Sequence, residues 1–150
     1  MILINILHAS SCVGKSTYMM KAHKGFYKIE MDDTQFWTRE EKEWPSICFE
    51  FLVKHINNNK KRRSITGVYR NMLVTCGGLP TPEHPGYKEI EAKHNVIFRH
   101  TLMLTKDSNQ YFRQIKKRKR GDIVNQLMEH YKWRESTKNM YDEIIINKGK

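Results

Sequence analysis

Short apolar runs alternate along the chain with segments that have helical spacing. The apolar runs predict strands at 2–7, 26–31, 71–76, 95–104 and 141–147. The other segments predict helices at 16–23, 45–56, 107–117 and 122–133, with a short helix within 82–94. Gly25 is expected to end the first helix. The alternation predicts an α/β fold, a parallel sheet with helices on both faces, and a ligand at the carboxyl ends of its strands.

Length and composition are typical of one soluble domain. The chain has 150 residues, 39% hydrophobic and 29% charged, so we expect a single domain over 1–150. No apolar run approaches the roughly 20 residues that cross a bilayer, which predicts no membrane partner. Cys12, Cys48 and Cys76 have neither disulfide nor zinc spacing, which favours the cytoplasm. The richness in Lys, Asn and Ile hints at a viral, phage-like protein in the host cytoplasm.

Basic residues are in large excess and are clustered. Lys and Arg number 27 against 16 Asp and Glu, and the net charge is +11. The charge is concentrated in two stretches, 54–63 and 113–120. A surplus of this size on a small domain predicts nucleic acid as the partner. A basic surface that serves an anionic small-molecule substrate is the alternative.

A phosphate-binding motif follows the first predicted strand. The segment 9–17, Ala-Ser-Ser-Cys-Val-Gly-Lys-Ser-Thr, has Walker A spacing, with Ala9 in place of the first glycine. Its backbone N–H groups and the helix that follows would surround the phosphates of ATP. Lys15 is predicted to act on the β- and γ-phosphates, and the Ser16 hydroxyl to bind Mg²⁺. The predicted nucleotide-binding residues of this loop are Ser11, Cys12, Val13, Gly14, Lys15, Ser16 and Thr17.

Two acidic residues follow the second predicted strand. In the strand order 2-3-1-4-5, common among small kinases, Asp32 and Asp33 lie beside the phosphate loop. Asp32 is predicted to accept the proton of an acceptor hydroxyl, and Asp33 to hold Mg²⁺ through water. Capping of the next helix by Asp33 or Thr34 is the alternative. The third strand lacks the acid that larger P-loop machines carry, which favours a kinase.

The second basic stretch has the position of a kinase lid. It lies within 106–122, between the fourth predicted strand and the last helix. Arginines in such a lid stabilise the charge on the transferring phosphoryl group, and lid closure excludes water. Arg118 and Arg120 are the predicted catalytic arginines, followed by Arg113. A solvated helix face is the alternative.

With these motifs, the chain resembles the phage polynucleotide kinase family. Residues 25–33 are similar to that family's second strand and acidic pair, and 119–131 to its lid and following helix. The same parts resemble thymidylate and deoxynucleoside kinases, and 74–78 resembles the glycine-rich strand end of shikimate kinases. The resemblance implies a kinase with Asp32 as base. It also implies an acceptor-binding arginine three residues later, where this chain has Gln35.

The sequence leaves three hypotheses for the function. The first is a kinase for a hydroxyl of nucleic acid, at a 5′ end or on a hydroxymethylated base. The second is a nucleoside, nucleotide or small-metabolite kinase, and the third is a non-catalytic nucleotide-dependent regulator that binds nucleic acid. The first is favoured by a basic loop expected between the second and third strands, which would bind the acceptor through Lys60, Lys61, Arg62 and Arg63. Asn147, after the last strand, is predicted to contact adenine.

Overall fold

A five-stranded parallel sheet forms the centre of the protein in the computed structural model. The structure describes residues 1–10, 12–22, 24–30, 44–66, 70–76, 79–118 and 123–147. The strands are β1 Ile2–Ala9, β2 Tyr27–Glu30, β3 Met72–Cys76, β4 Val96–Thr105 and β5 Glu143–Asn147. Their order is β2-β3-β1-β4-β5, and each neighbouring pair is parallel. The predicted fold class and strand order are confirmed.

Helices connect the strands. They are α1 Lys15–Lys21, α2 Trp44–Thr66, α3 Pro85–His94, α4 Ser108–Lys117 and α5 Val124–Ser136. Helix α1 ends at Lys21 with Ala22 as its C-cap, so the prediction that Gly25 ends this helix is wrong. Among the described helices, none has the length and apolarity needed to cross a membrane.

Side-chain alternation along β1 divides the core between two apolar clusters. Ile4 and Ile6 lie in one cluster with Leu52 and Ile56 of α2 and with residues of α3. Leu7 and Ala9 lie in the other cluster, with Met19 of α1 and residues of α4 and α5. Strand β1 is the middle strand, with β3 and β4 as neighbours, and it is covered on both faces, where Asn5 and His8 are its buried polar residues. The loop that follows β1 therefore begins from the strand at the centre of the sheet.

Two histidines form a buried pair between β1 and β4. His8 Nε2 lies 2.9 Å from His100 Nδ1, so one ring donates a hydrogen bond to the other. The ring of Tyr87 packs edge-on to His100 at 4.4 Å, and that of Tyr141 packs edge-on to His8 at 5.1 Å. Burial lowers the pKa of His8 well below its usual value and lowers the pKa of His100 to about 4. Both rings are therefore neutral at pH 7.

We expect the free energy of unfolding to fall as the pH is lowered from 7 to 4. The unfolded chain protonates these histidines near pH 6.5, whereas the fold keeps them neutral, so the unfolded state binds more protons below that pH. Stability is complete above about pH 6.5 and is lost as the pH falls toward about 4, the pKa of His100 in the fold. Urea unfolding at several pH values measures the slope, at most about 1.4 kcal/mol per pH unit for each histidine.

The matched variants are His100→Gln, which removes one member of the pair, and His94→Gln at the end of α3. The first should reduce the slope between pH 6.5 and pH 4, and the second should leave it unchanged. An equal slope in wild type and His100→Gln would show that the pair does not set this pH dependence.

Candidate phosphate-binding site

The predicted phosphate loop joins the carboxyl end of β1 to the first turn of α1. Cys12 and Gly14 have positive φ angles of 69° and 105°. Gly14 is the N-cap of α1, and within the described part of the chain no side chain caps that end of the helix. The first N–H groups of α1 are thus left to an outside acceptor, and Lys15, the first helical residue, places a cation beside them. Ser11 lies outside the described residues.

A hydroxyl and a carboxylate meet beside the loop. Ser16 Oγ donates a hydrogen bond to Glu30 Oε1 at 3.0 Å, and both residues are exposed. Glu30 is the last residue of β2, two strands away from β1 in the sheet. Hydroxyl and carboxylate oxygens are the ligands that Mg²⁺ prefers, so the pair fits a magnesium site. Sequence reasoning missed Glu30, although an acid at the carboxyl end of a strand was a usable signal.

Asn147 contacts the loop from the end of β5. Its Nδ2 donates to the Val13 carbonyl at 2.7 Å. A methyl group built on Gly14 would clash with the same amide, so side chain and loop are in direct contact. The prediction places Asn147 at the nucleotide site, and the structure places it against the loop backbone. Its adenine contact stays a prediction.

Side chains of helices α4 and α5 contact the start of the phosphate loop at Ser10. His130 Nδ1 of α5 lies 3.4 Å from Ser10 Oγ, and Tyr111 of α4 also hydrogen-bonds Ser10. The rings of Tyr111 and Tyr131 stack with their centroids 4.4 Å apart. Burial raises the pKa of Tyr111 and lowers the pKa of His130. Neutral rings thus hold Ser10 in place, and the buried Arg134 of α5 is the cation whose charge acts on both Tyr111 and His130.

The first part of the predicted lid, 106–122, is a helix packed on the core. In α4, Ile115 is fully buried, while Arg113 is exposed. Arg118 is the exposed C-cap residue of this helix. Arg120 lies outside the described residues. The catalytic roles of Arg118 and Arg120 stay predictions.

Several other predicted site residues are not placed. Those outside the described residues are Asp32, Asp33 and Gln35. They follow Glu30, which is described and lies at the same edge of the sheet as the phosphate loop.

The other basic stretch is helical, so the prediction of a basic loop is wrong. Lys60, Lys61 and Arg62 belong to α2, which extends ten residues beyond the predicted end at 56, to Thr66. The Lys60 ammonium donates to the carbonyl of His94, which ends α3, and the Arg62 guanidinium lies 5.0 Å from the ring centre of Tyr27. The side chain of Arg63 lies outside the described part of this helix.

These contacts place the stretch at the amino ends of the strands. Tyr27 begins β2, and His94 lies two residues before the start of β4. The phosphate loop follows the carboxyl end of β1, so the length of the strands separates the two, at roughly 3.3 Å per residue. We therefore do not assign Lys60, Lys61, Arg62 or Arg63 to the acceptor.

Solved structures with a similar fold include two shikimate kinases. The enzyme from Acinetobacter baumannii, in complex with shikimate, is 12% identical with a TM-score of 0.60, over 99% of this chain and 86% of that one. The enzyme from Bacteroides thetaiotaomicron is 13% identical with a TM-score of 0.56, over 95% and 84% of the two chains. The sequence matches no protein-family model and no curated protein.

At these identities the similarity defines the class of fold, which is the P-loop kinase fold of shikimate kinases. The finer resemblance to phage polynucleotide kinases stays a prediction. The prediction of a nucleic-acid partner is corrected, because the similar structures are kinases of which one holds a small molecule, shikimate. The position of the basic part of α2, away from the phosphate loop, agrees with this correction.

Proposed function

We propose that the protein is a P-loop phosphotransferase that moves the γ-phosphoryl group of ATP to a hydroxyl of a small metabolite. The observation that carries this proposal is the juxtaposition at the carboxyl edge of the sheet. An uncapped helix start with Lys15 lies next to the pair formed by Ser16 and Glu30. This arrangement suits a triphosphate and its metal ion.

Each residue has a distinct part in the transfer. The loop N–H groups and Lys15 bind the phosphates and offset their charge. Ser16 and Glu30 would hold Mg²⁺, which supplies electrostatic stabilisation of the phosphates when bound. Asp32 accepts the proton of the acceptor hydroxyl, whose oxygen forms a bond to the γ-phosphorus as the bond to ADP breaks. Arg118 and Arg120 stabilise the transferring group from the lid.

A cavity between α2 and α3 supports a small acceptor. It has a volume of about 700 Å³, which lies in the range for small-molecule sites. It lies between the N-terminal halves of the two helices, and both helices start at the carboxyl edge of the sheet. Its polar lining includes Ser46, Glu50, His84 and Glu89, and the described lining contains no Lys or Arg. Such a lining disfavours a phosphate-rich polymer and suits a neutral or cationic metabolite.

The test measures acceptor-dependent ADP release and transfer of label from γ-labelled ATP in the presence of Mg²⁺. The acceptors are hydroxy acids including shikimate, sugars, polyols, amino alcohols and nucleosides, with 5′-hydroxyl oligonucleotides for comparison. We expect label on a small metabolite and none on an oligonucleotide. Label on oligonucleotides alone would overturn the small acceptor, and ATP binding without turnover on any acceptor would overturn the kinase.

Replacing Glu30 with glutamine is expected to raise the Mg²⁺ concentration needed for half-maximal turnover. The glutamine keeps an oxygen near Ser16 but loses the charge that attracts the cation, and losses of this type cost about 10- to 100-fold. Titration of Mg²⁺ at saturating ATP measures the change. Glu129→Gln, on the exposed side of α5, is the matched control and should leave the titration unchanged. If both variants needed the same Mg²⁺ concentration for half-maximal turnover, Glu30 would not be a metal ligand.

A further inference from the structure

A hydrogen bond connects the phosphate loop to a residue 134 positions away in the sequence. Asn147 Nδ2 donates to the carbonyl oxygen of Val13 at 2.7 Å, and the same amide packs on Gly14. The bond therefore acts on the single peptide unit that joins Val13 to Gly14. This unit immediately precedes Lys15.

The orientation of that peptide unit decides where its N–H points. The protein has no cis peptide among its described residues, and in a planar trans peptide the C=O and the N–H point in opposite directions. Because Asn147 holds the Val13 carbonyl on its own side, the Gly14 N–H is directed away from Asn147. Gly14 has φ 105°, a conformation that glycine adopts readily, so the orientation costs little strain.

We propose that Asn147 is a positioning residue that fixes the Val13–Gly14 peptide with its N–H toward the bound phosphate. This inference rests on the proposed function and adds to it a residue that acts through the loop backbone. Phosphate loops bind their ligand chiefly through backbone N–H groups, so the direction of each N–H sets the affinity. A preorganised N–H avoids the free-energy cost of turning the peptide when the phosphate binds.

Gln110 holds Asn147 in turn. Its Nε2 donates to the carbonyl of Asn147 at 3.2 Å, and its Oε1 accepts from the Lys106 N–H at 2.9 Å. Gln110 is buried, with 8% of its surface exposed. One side chain thus ties the end of β5 to the turn between β4 and α4. Gln110 is the second positioning residue, and it acts through Asn147.

A positioning role and an adenine contact have different ligand dependence. A residue that orients a loop N–H affects every ligand with a polyphosphate, with or without a base. A residue that contacts adenine affects the affinities for ATP and adenosine and leaves the affinity for inorganic tripolyphosphate unchanged. The three ligands therefore separate the two roles for Asn147.

The experiment measures the affinities of Mg²⁺–ATP, Mg²⁺–tripolyphosphate and adenosine for the full chain by calorimetry. Asn147→Leu removes the donor without adding charge, and Gln110→Glu removes the donor that holds Asn147. Asn139→Leu and Gln126→Glu, both at exposed positions, are the matched controls. Thermal melting of each variant shows whether it is folded.

We expect Asn147→Leu to weaken the binding of ATP and of tripolyphosphate by the same factor, about 3- to 10-fold for one lost hydrogen bond. The affinity for adenosine should stay unchanged. Gln110→Glu should act in the same direction, and both controls should match wild type. Unchanged tripolyphosphate affinity in folded Asn147→Leu and Gln110→Glu would overturn the positioning role. A wild-type protein that binds neither ATP nor tripolyphosphate would overturn the proposed function itself.

Discussion

Lys15→Ala is expected to lower phosphoryl transfer by about 100- to 1,000-fold, the range for loss of one preorganised group that stabilises the transition state. Lys15 is the first residue of α1 and follows a glycine with φ 105°, so its side chain emerges where the uncapped N–H groups lie. Its charge is needed most when negative charge moves to the leaving oxygen. Steady-state kinetics with saturating acceptor measures the loss.

Lys21→Ala is the matched control for this change. Lys21 is exposed in the last turn of the same helix, so its removal changes the net charge equally without touching the loop. We expect wild-type turnover from Lys21→Ala. Similar losses in both variants would mean that overall charge, and not the position of Lys15, is responsible.

Asp32→Asn is expected to lower kcat by about 100- to 10,000-fold and to leave the affinity for ATP nearly unchanged. The amide keeps the size of the carboxylate and can accept a hydrogen bond, but it cannot take the proton of the acceptor hydroxyl. The proton must then pass to water, which is a much weaker base when the lid excludes solvent. Single-turnover transfer and ATP calorimetry separate the two effects.

Asp33→Asn distinguishes the two acidic residues. If Asp33 holds Mg²⁺ through water, its amide variant needs more Mg²⁺ and keeps most of its kcat at saturating metal. If Asp33 instead caps the next helix, the amide is a good cap and costs little stability. A large loss of kcat in Asp33→Asn, with an active Asp32→Asn, would exchange the predicted roles.

The phosphate loop and the sheet order are predictable because their signals are local or shared by many proteins. The segment 2–7 is apolar except for Asn5, which favours a strand buried on both faces, and Gly14, Lys15 and Ser16 follow it at fixed spacing. The residue types that such a loop requires are close together in the sequence. Sequence reasoning could therefore place the loop.

The length of α2, in contrast, could not be predicted from the sequence. Its second half is basic and polar and has no apolar face that would predict a helix. The helix continues because Asn59 donates to the carbonyl of Arg70 at 2.7 Å and Lys60 donates to the carbonyl of His94. The two partners lie 11 and 34 residues away, outside the helix, so no periodicity within the segment predicts these contacts. The position of this basic stretch at the amino ends of the strands follows from the contact of Lys60 with His94 and from that of Arg62 with Tyr27.

The tertiary structure also determines which side chains lie beside the predicted phosphate loop. Glu30 meets Ser16 because β2 and β1 end at the same edge, and Asn147 meets Val13 because β5 ends there too. Their partners are 14 and 134 residues away in the sequence. A motif records residue types at short spacing, whereas these contacts depend on the packing of whole strands. The amino-acid pattern was thus sufficient to predict the phosphate loop, and only the tertiary structure could show that Asn147 contacts this loop and that Glu30 contacts Ser16.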